Sequence, residues 1–173
     1  EFRRVLFRST LTVGAGSTAG SLATSTIVSN ATLAFNRSDT VTLSTAVSGS
    51  GGVKQSGSGT LVMSGNNTYT GTTQVSAGTM QLGAADRIAN TSALVVDTGA
   101  TFDANSYSDT VGSLAGAGAV TLGSATLTAG GDGTSTIFSG TMTGTGGLTK
   151  AGAGTLTDRK STRLNSSHGY ISY

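Results

Sequence analysis

Residues 51–83 read GGVKQSGSGTLVMSGNNTYTGTTQVSAGTMQLG, and this stretch decides the fold. Within it Leu61 and Met63 alternate with Thr60 and Val62, and Met80 and Leu82 alternate with Thr79 and Gln81. Apolar residues at every second position mark short strands with one buried face. Each run is only about four residues long and is bounded by Gly57 and Gly59, Asn66 and Asn67, or Gly78 and Gly83. Glycine reaches positive φ without a Cβ penalty and asparagine tolerates it, so these are corners. A strand this short cannot bury a core alone. Strands of this kind must stack, and coils of roughly 20 residues piled on one another are the economical arrangement.

The same theme recurs outward from that stretch, in VSNATLAF, VDTGATFD and GSATLTA, and no part of residues 10–157 shows helical spacing. Gly49, Gly51, Gly52, Val53, Gly57, Gly59, Thr60 and Leu61 return 95 positions later as Gly144, Gly146, Gly147, Leu148, Gly152, Gly154, Thr155 and Leu156. We read this as one long unit starting over, with units beginning near 49 and 144. The expected fold is all-β, a right-handed parallel β-helix (β-solenoid). A right hand agrees with the general rule for parallel crossovers. Residues 10–157 would make about seven turns and a rod about 35 Å long. An antiparallel sandwich is the other arrangement, disfavoured by the very short strands, the mid-unit Gly-Gly pairs and the scarcity of large aromatic residues. A stack also leaves unpaired strand edges at both ends, which favours aggregation of an isolated piece.

Composition agrees. Glycine supplies 27 of 173 residues and charged residues only 10%, with no proline, cysteine or tryptophan. Proline would remove ladder donors. The absence of cysteine removes disulfide frameworks, thiol nucleophiles and Cys-based zinc sites. No apolar run approaches the roughly 20 residues of a spanning helix.

The two ends read as foreign. Glu1–Ser9 can be encoded by an oligonucleotide whose reverse complement, read from its second base, encodes Asp158 through Asn165 and the start of Ser166. One oligonucleotide in opposite orientations therefore accounts for both ends, and it resembles a common sequencing adapter. Residues 1–9 and 158–173 are accordingly set apart from the fold. The tails hold Arg3, Arg4, Arg8, Arg159, Lys160 and Arg163, whereas residues 10–157 hold four basic residues against six aspartates, a net charge of −2. The basic character belongs to the tails, and a nucleic-acid partner loses its support. His168, the one histidine, also lies in a tail, so triad chemistry and imidazole metal sites lack their residue.

Several patterns resemble sites. Gly14, Gly16 and Ala19 with Asp39 further on imitate a dinucleotide fingerprint, but no amphipathic helix follows. Gly131, Asp132 and Gly133 imitate one calcium-binding coil, whereas such sites need successive copies, so a tight turn is the reading. Asp97, Asp103 and Asp109 are spaced by six, which imitates a carboxylate cluster for glycan cleavage; the intervening Gly99 and Asn105 read instead as turns that aim them apart, leaving solvated corner aspartates or asparagine-like turn caps. Tyr69 and Tyr107, the two tyrosines of residues 10–157, are candidates for stacking on sugar rings, set against packing over the edge of a turn. No catalytic, cofactor-binding or metal residue is named.

Residues 51–83 resemble the autotransporter-associated β-strand repeat of bacterial passenger domains. That pattern joins G-x-L-x-K-x-G-x-G-T-L-x-L-S-G to N-T-Y-T-G and then to T-x-V-x-A-G-T-L-Q-L-G. Val53 and Met80 stand for leucines, and Lys54 lies one place early, whereas Lys150 keeps the position in the second copy. Residues 112–157 and 31–39 resemble adjoining turns, so the likeness covers nearly all of 10–157. It implies a β-helix passenger segment threaded through an outer-membrane barrel encoded elsewhere, a location at the bacterial surface or outside the cell, and a structural or adhesin-like role. The implied partners are neighbouring repeats of the same chain and surface glycans or host proteins. A glycan- or protein-binding module is the second class, and a polysaccharide-degrading β-helix enzyme the third.

Overall fold

The alternation at residues 60–63 and 79–82 is realised strand for strand in the computed structural model, which describes residues 4–22 and 24–159. The chain winds over three faces in repeated order, and every pairing is parallel. The first face has eight strands: β2 (Leu11–Ser17), β4 (Thr32–Arg37), β7 (Gly52–Gln55), β9 (Thr73–Val75), β11 (Ala93–Val96), β14 (Ser113–Gly116), β17 (Thr136–Phe138) and β20 (Leu156–Asp158). The second has six: β5 (Thr40–Leu43), β8 (Thr60–Met63), β10 (Thr79–Leu82), β12 (Thr101–Asp103), β15 (Ala119–Gly123) and β18 (Thr141–Gly144). The third comes in two blocks of three. One is β1 (Arg4–Phe7), β3 (Thr26–Ser29) and β6 (Val47–Ser48); the other is β13 (Asp109–Val111), β16 (Thr126–Ala129) and β19 (Gly147–Lys150). The result is a β-solenoid of about eight turns, with no helix among the described residues.

Stacking in register makes columns of like side chains. On the first face Leu33, Val53, Thr73, Leu94 and Leu114 follow one another inward. On the second, Val41, Leu61, Met80, Phe102, Val120 and Met142 do the same. From Leu61 to Val120 this second column is at most 1% exposed, so the core is a continuous apolar thread along the axis. Burying each such side chain contributes about 1.5–3 kcal/mol. Gln55 interrupts the apolar lining at 1% exposure, and its amide donates to the carbonyls of Gly57 and Gly59, holding the corner between two faces.

The 95-residue sequence copies occupy different faces. Gly52–Gln55 lies on the first face, but its counterpart Gly147–Lys150 lies on the third; Thr60–Met63 lies on the second, but Leu156–Asp158 lies on the first. Following the register from Val53 by five rungs leads to Leu156, which is 103 residues on, so a copy displaced by 95 arrives one strand early. The unit that starts over in sequence is therefore a corner–strand–corner–strand module that fits more than one face. Its glycines explain why. A Cβ on Gly51 would lie 1.8 Å from the Ala31 carbonyl oxygen, and one on Gly146 would lie 1.8 Å from that of Ala125. Both corners press backbone against the coil below, whichever face they turn.

The tail residues divide. Arg4–Phe7 pairs with Thr26–Ser29 as the edge rung of the third face, and half-buried Phe7 packs on the core, so this part of the segment set apart as foreign adds to the stack. Asp158 ends β20, whereas residues 160–173, with Lys160, Arg163 and His168, lie outside the described residues.

Gly51→Ala and Gly146→Ala are each expected to lower unfolding stability by about 1–3 kcal/mol through overpacking. Gly131→Ala, where an added Cβ meets nothing within 4 Å, is expected to stay within about 0.5 kcal/mol. Urea unfolding of the three variants measures this.

Candidate functional site

The polar residues that the fold gathers lie where the third face is interrupted. Between β6 and β13 two coils pass without a strand, through residues 64–72 and 83–92. Their sequences, SGNNTYTGT and GAADRIANTS, are interrupted by Gly, Asn, Asp and Ala, residues depleted in strands, and no regular ladder forms. Side chains take over. The Asn67 Oδ1 accepts the Val47 amide at 2.9 Å, and its Nδ2 donates to the Arg87 carbonyl at 2.7 Å. One rung on, the Asp109 Oδ2 accepts the Arg87 amide at 2.8 Å and the Ile88 amide at 3.0 Å. Val47, Asn67, Arg87 and Asp109 thus form one column that splices the two blocks of the face. Backbone amides must find partners when buried, and here an amide and a carboxylate side chain supply them.

Beneath the splice sits Tyr69. It is 0% exposed, and its hydroxyl lies 2.6 Å from the Thr73 Oγ1, which lies 2.8 Å from the Ser92 Oγ; Ser92 in turn donates to the Gly71 carbonyl at 2.7 Å. Burial pushes the Tyr69 phenol well above its ordinary range, so it stays neutral. Tyr69, read as a candidate for stacking on sugars, is therefore a plug: its ring fills the volume that the missing strand leaves and faces no solvent. Tyr107 is 40% exposed and keeps an accessible ring.

The three aspartates part company. Asp97 follows β11 on the first face and accepts from the Gln74 amide at 2.9 Å. Asp103 ends β12 on the second face and accepts from Gln81 at 2.8 Å and from the Asn105 amide at 2.8 Å. Asp109 opens β13 on the third face, 2% exposed. One coil sends them to three faces, so they do not form a carboxylate pair. Of the two readings of Asp109, the solvated corner residue is corrected: its alternation with Thr110 and Val111 turns it inward, where it caps backbone amides, and burial pushes it up to about 6, against the pull of hydrogen bonds from Ile88 and Arg87.

The remaining patterns are structural. Gly14 and Gly16 lie within β2 at φ 89° and 80° and no helix follows. Asp39 receives Arg37 in a two-point pair, Nε to Oδ1 at 2.8 Å and Nη2 to Oδ2 at 2.7 Å, and that hydrogen bonding holds its carboxyl below the usual range. Gly131, Asp132 and Gly133 form an exposed turn in which the Asp132 Oδ1 accepts the Thr134 amide and hydroxyl at 2.9 and 2.7 Å. Among the described residues no group of three or more His, Cys, Asp or Glu side chains is placed to hold a metal. A shallow cavity of about 290 Å³ runs over the corners at Gly99–Thr101, Ala117–Ala119 and Ser139–Thr141, lined by small residues alone.

The fold and these contacts define a stacked parallel rod whose buried polar groups serve coil-to-coil joining. Comparison with known proteins sharpens the class. Residues 53–82 match the passenger-associated-transport-repeat family. The chain is 40% identical over 122 residues to the adhesin BmaC autotransporter of Brucella suis biovar 1 (strain 1330), a match covering 67% of this chain and 4% of that protein. No solved structure matches. The chain is a segment of an autotransporter passenger domain carrying a passenger-associated-transport repeat, which gives it a place at the bacterial surface, in the outer membrane or outside the cell. The repeat spans β7 to β10 and so includes both Asn67 and Tyr69.

Asn67→Ala leaves the Val47 amide and the Arg87 carbonyl without their partner and is expected to cost about 1–3 kcal/mol. Tyr69→Phe removes one hydroxyl from its network and is expected to cost about 1 kcal/mol, whereas Tyr107→Ala at the surface should stay within about 0.5 kcal/mol. Thermal or urea unfolding distinguishes the three.

Proposed function

We propose that this segment is a structural element of an adhesin-like passenger: an extended rod at the cell surface that holds more distal regions away from the membrane. The observation that carries this reading is the unbroken eight-rung ladder of the first face. In such a solenoid each coil is stabilised by its neighbours, so folding propagates along the axis. Coils that fold on emerging cannot slip back, which helps draw the chain outward through a barrel encoded elsewhere in the full-length protein. The partners of this segment are then the neighbouring repeats of its own chain, against which half-buried Met142, Leu148 and Leu156 at one end would pack. The same reading assigns residues 1–9 and 158–173 to sequence foreign to the passenger; the genomic sequence flanking 10–157 tests this by containing or lacking them.

A second reading, recognition of surface glycans or host proteins, is favoured by the accessible ring of Tyr107. Glycan-array binding that disappears in Tyr107→Ala supports it, and binding unchanged by that substitution removes Tyr107 from consideration.

Deleting residues 53–82 from the full-length protein tests the primary reading. Protease-accessible passenger at the cell surface is expected to fall several-fold while the barrel remains in the outer membrane. Undiminished surface display would contradict it.

A further inference from the structure

We propose that Asp109 is a proton-operated joint in the rod: a neutral side chain here locks the two blocks of the third face together, and an ionised one makes their junction the weak point of the stack.

The geometry separates this residue from its counterpart one splice away. Asn67 bridges Val47 to Arg87 with a neutral amide that uses both its donor and its acceptor. Asp109 bridges the next step with a carboxyl that is 2% exposed and uses one oxygen: Oδ2 receives the Arg87 and Ile88 amides, while Oδ1 is buried without a hydrogen-bond partner. A buried carboxylate needs a counter-charge or a full set of donors. It has neither. The groups packed around it offer no cation. From the 83–92 segment, Asp86 adds a like charge, and the Arg87 guanidinium forms no ion pair with Asp109, its Nε being buried without a partner. From the 64–72 segment comes the neutral Tyr69 phenol. From β16 comes Leu127, directly opposite in the ladder. Taking up a proton removes the uncompensated charge and leaves Oδ2 free to keep accepting.

The sign follows from where the proton is held. An unfolded Asp has an ordinary value of 3.8, and burial lifts the folded one to about 6. Between these values the folded chain binds a proton that the unfolded chain does not, so folding is favoured as pH falls. The contribution of this residue is complete below about pH 3.8 and lost as pH rises through about 6. Asn67 has no such dependence, so acid tightens one of the two splices and leaves the other unchanged.

The test is urea unfolding of the 173-residue chain from pH 4 to 8, for the native sequence, Asp109→Asn and Asp103→Asn. The native chain is expected to gain, relative to Asp109→Asn, up to about a hundredfold in its folding constant between pH 7.5 and pH 4. Asp103→Asn, altered on an outward carboxyl, should keep the native slope. Equal slopes for the native chain and Asp109→Asn would overturn the proposal. If Asp109→Asn does not fold, the side-chain carboxyl carbon of Asp109 is followed by NMR in the native chain: a midpoint near 6 supports the joint, and one below 4 overturns it.

Discussion

Everything in this molecule depends on backbone amides meeting carbonyls of the next coil. On the first face successive partners such as Thr32 and Gly52, Leu94 and Thr73, or Leu11 and Leu33 lie 20 to 22 residues apart in sequence, and that spacing brings each inward residue over an inward residue. Slipping the register by one residue would turn every side chain to the opposite face. The apolar columns and the hydrogen-bond ladders therefore enforce one another. Glycine corners make this possible where the path turns tightly: at Gly51 and Gly146 any side chain would collide with the carbonyl below.

The interruption of the third face shows how the constraint is met where sequence does not supply a strand. Two consecutive coils give up their rung, yet the column from Val47 to Asp109 stays connected because Asn67 and Asp109 reach across with side-chain atoms. Tyr69 fills the space below. The matched repeat contains the Asn-Asn-Thr-Tyr-Thr-Gly run at its centre, so the first of the two strandless coils is part of the repeat itself, and the second, 83–92, follows directly after it.

How much of this was legible beforehand follows from what each kind of signal reports. Alternation at 60–63 and 79–82, with glycine corners between, reports the face that each side chain takes within its own strand, and it placed those strands correctly. It does not report which coil lies beneath which residue. For that reason the 95-residue copies read as one unit beginning again, although they turn different faces. The choice between stacking and packing for Tyr69, and the inward turn of Asp109, lay beyond the sequence for a related reason. A tyrosine among Asn and Thr, and an aspartate beside Ser108, look like surface residues by composition, and only the register shows that Asp109 stands over Arg87 and that Tyr69 meets Thr73 and Ser92. A spacing of 20 residues from Val47 to Asn67 and again to Arg87 was the available clue, meaningful once the coil length is known.

Distance measurement along one outward column tests the stacking most directly. Thr42, Val62, Gln81, Asp103, Thr121 and Thr143 follow one another in register on the second face, and the absence of native cysteine leaves a clean background for paired spin labels. Labels at Thr42 paired in turn with Asp103, Thr121 and Thr143 should separate by about 4.8 Å more per rung, reaching about 24 Å for the last pair. Distances that fail to grow in order along the column, as in a sheet folded back on itself, would contradict the parallel stack.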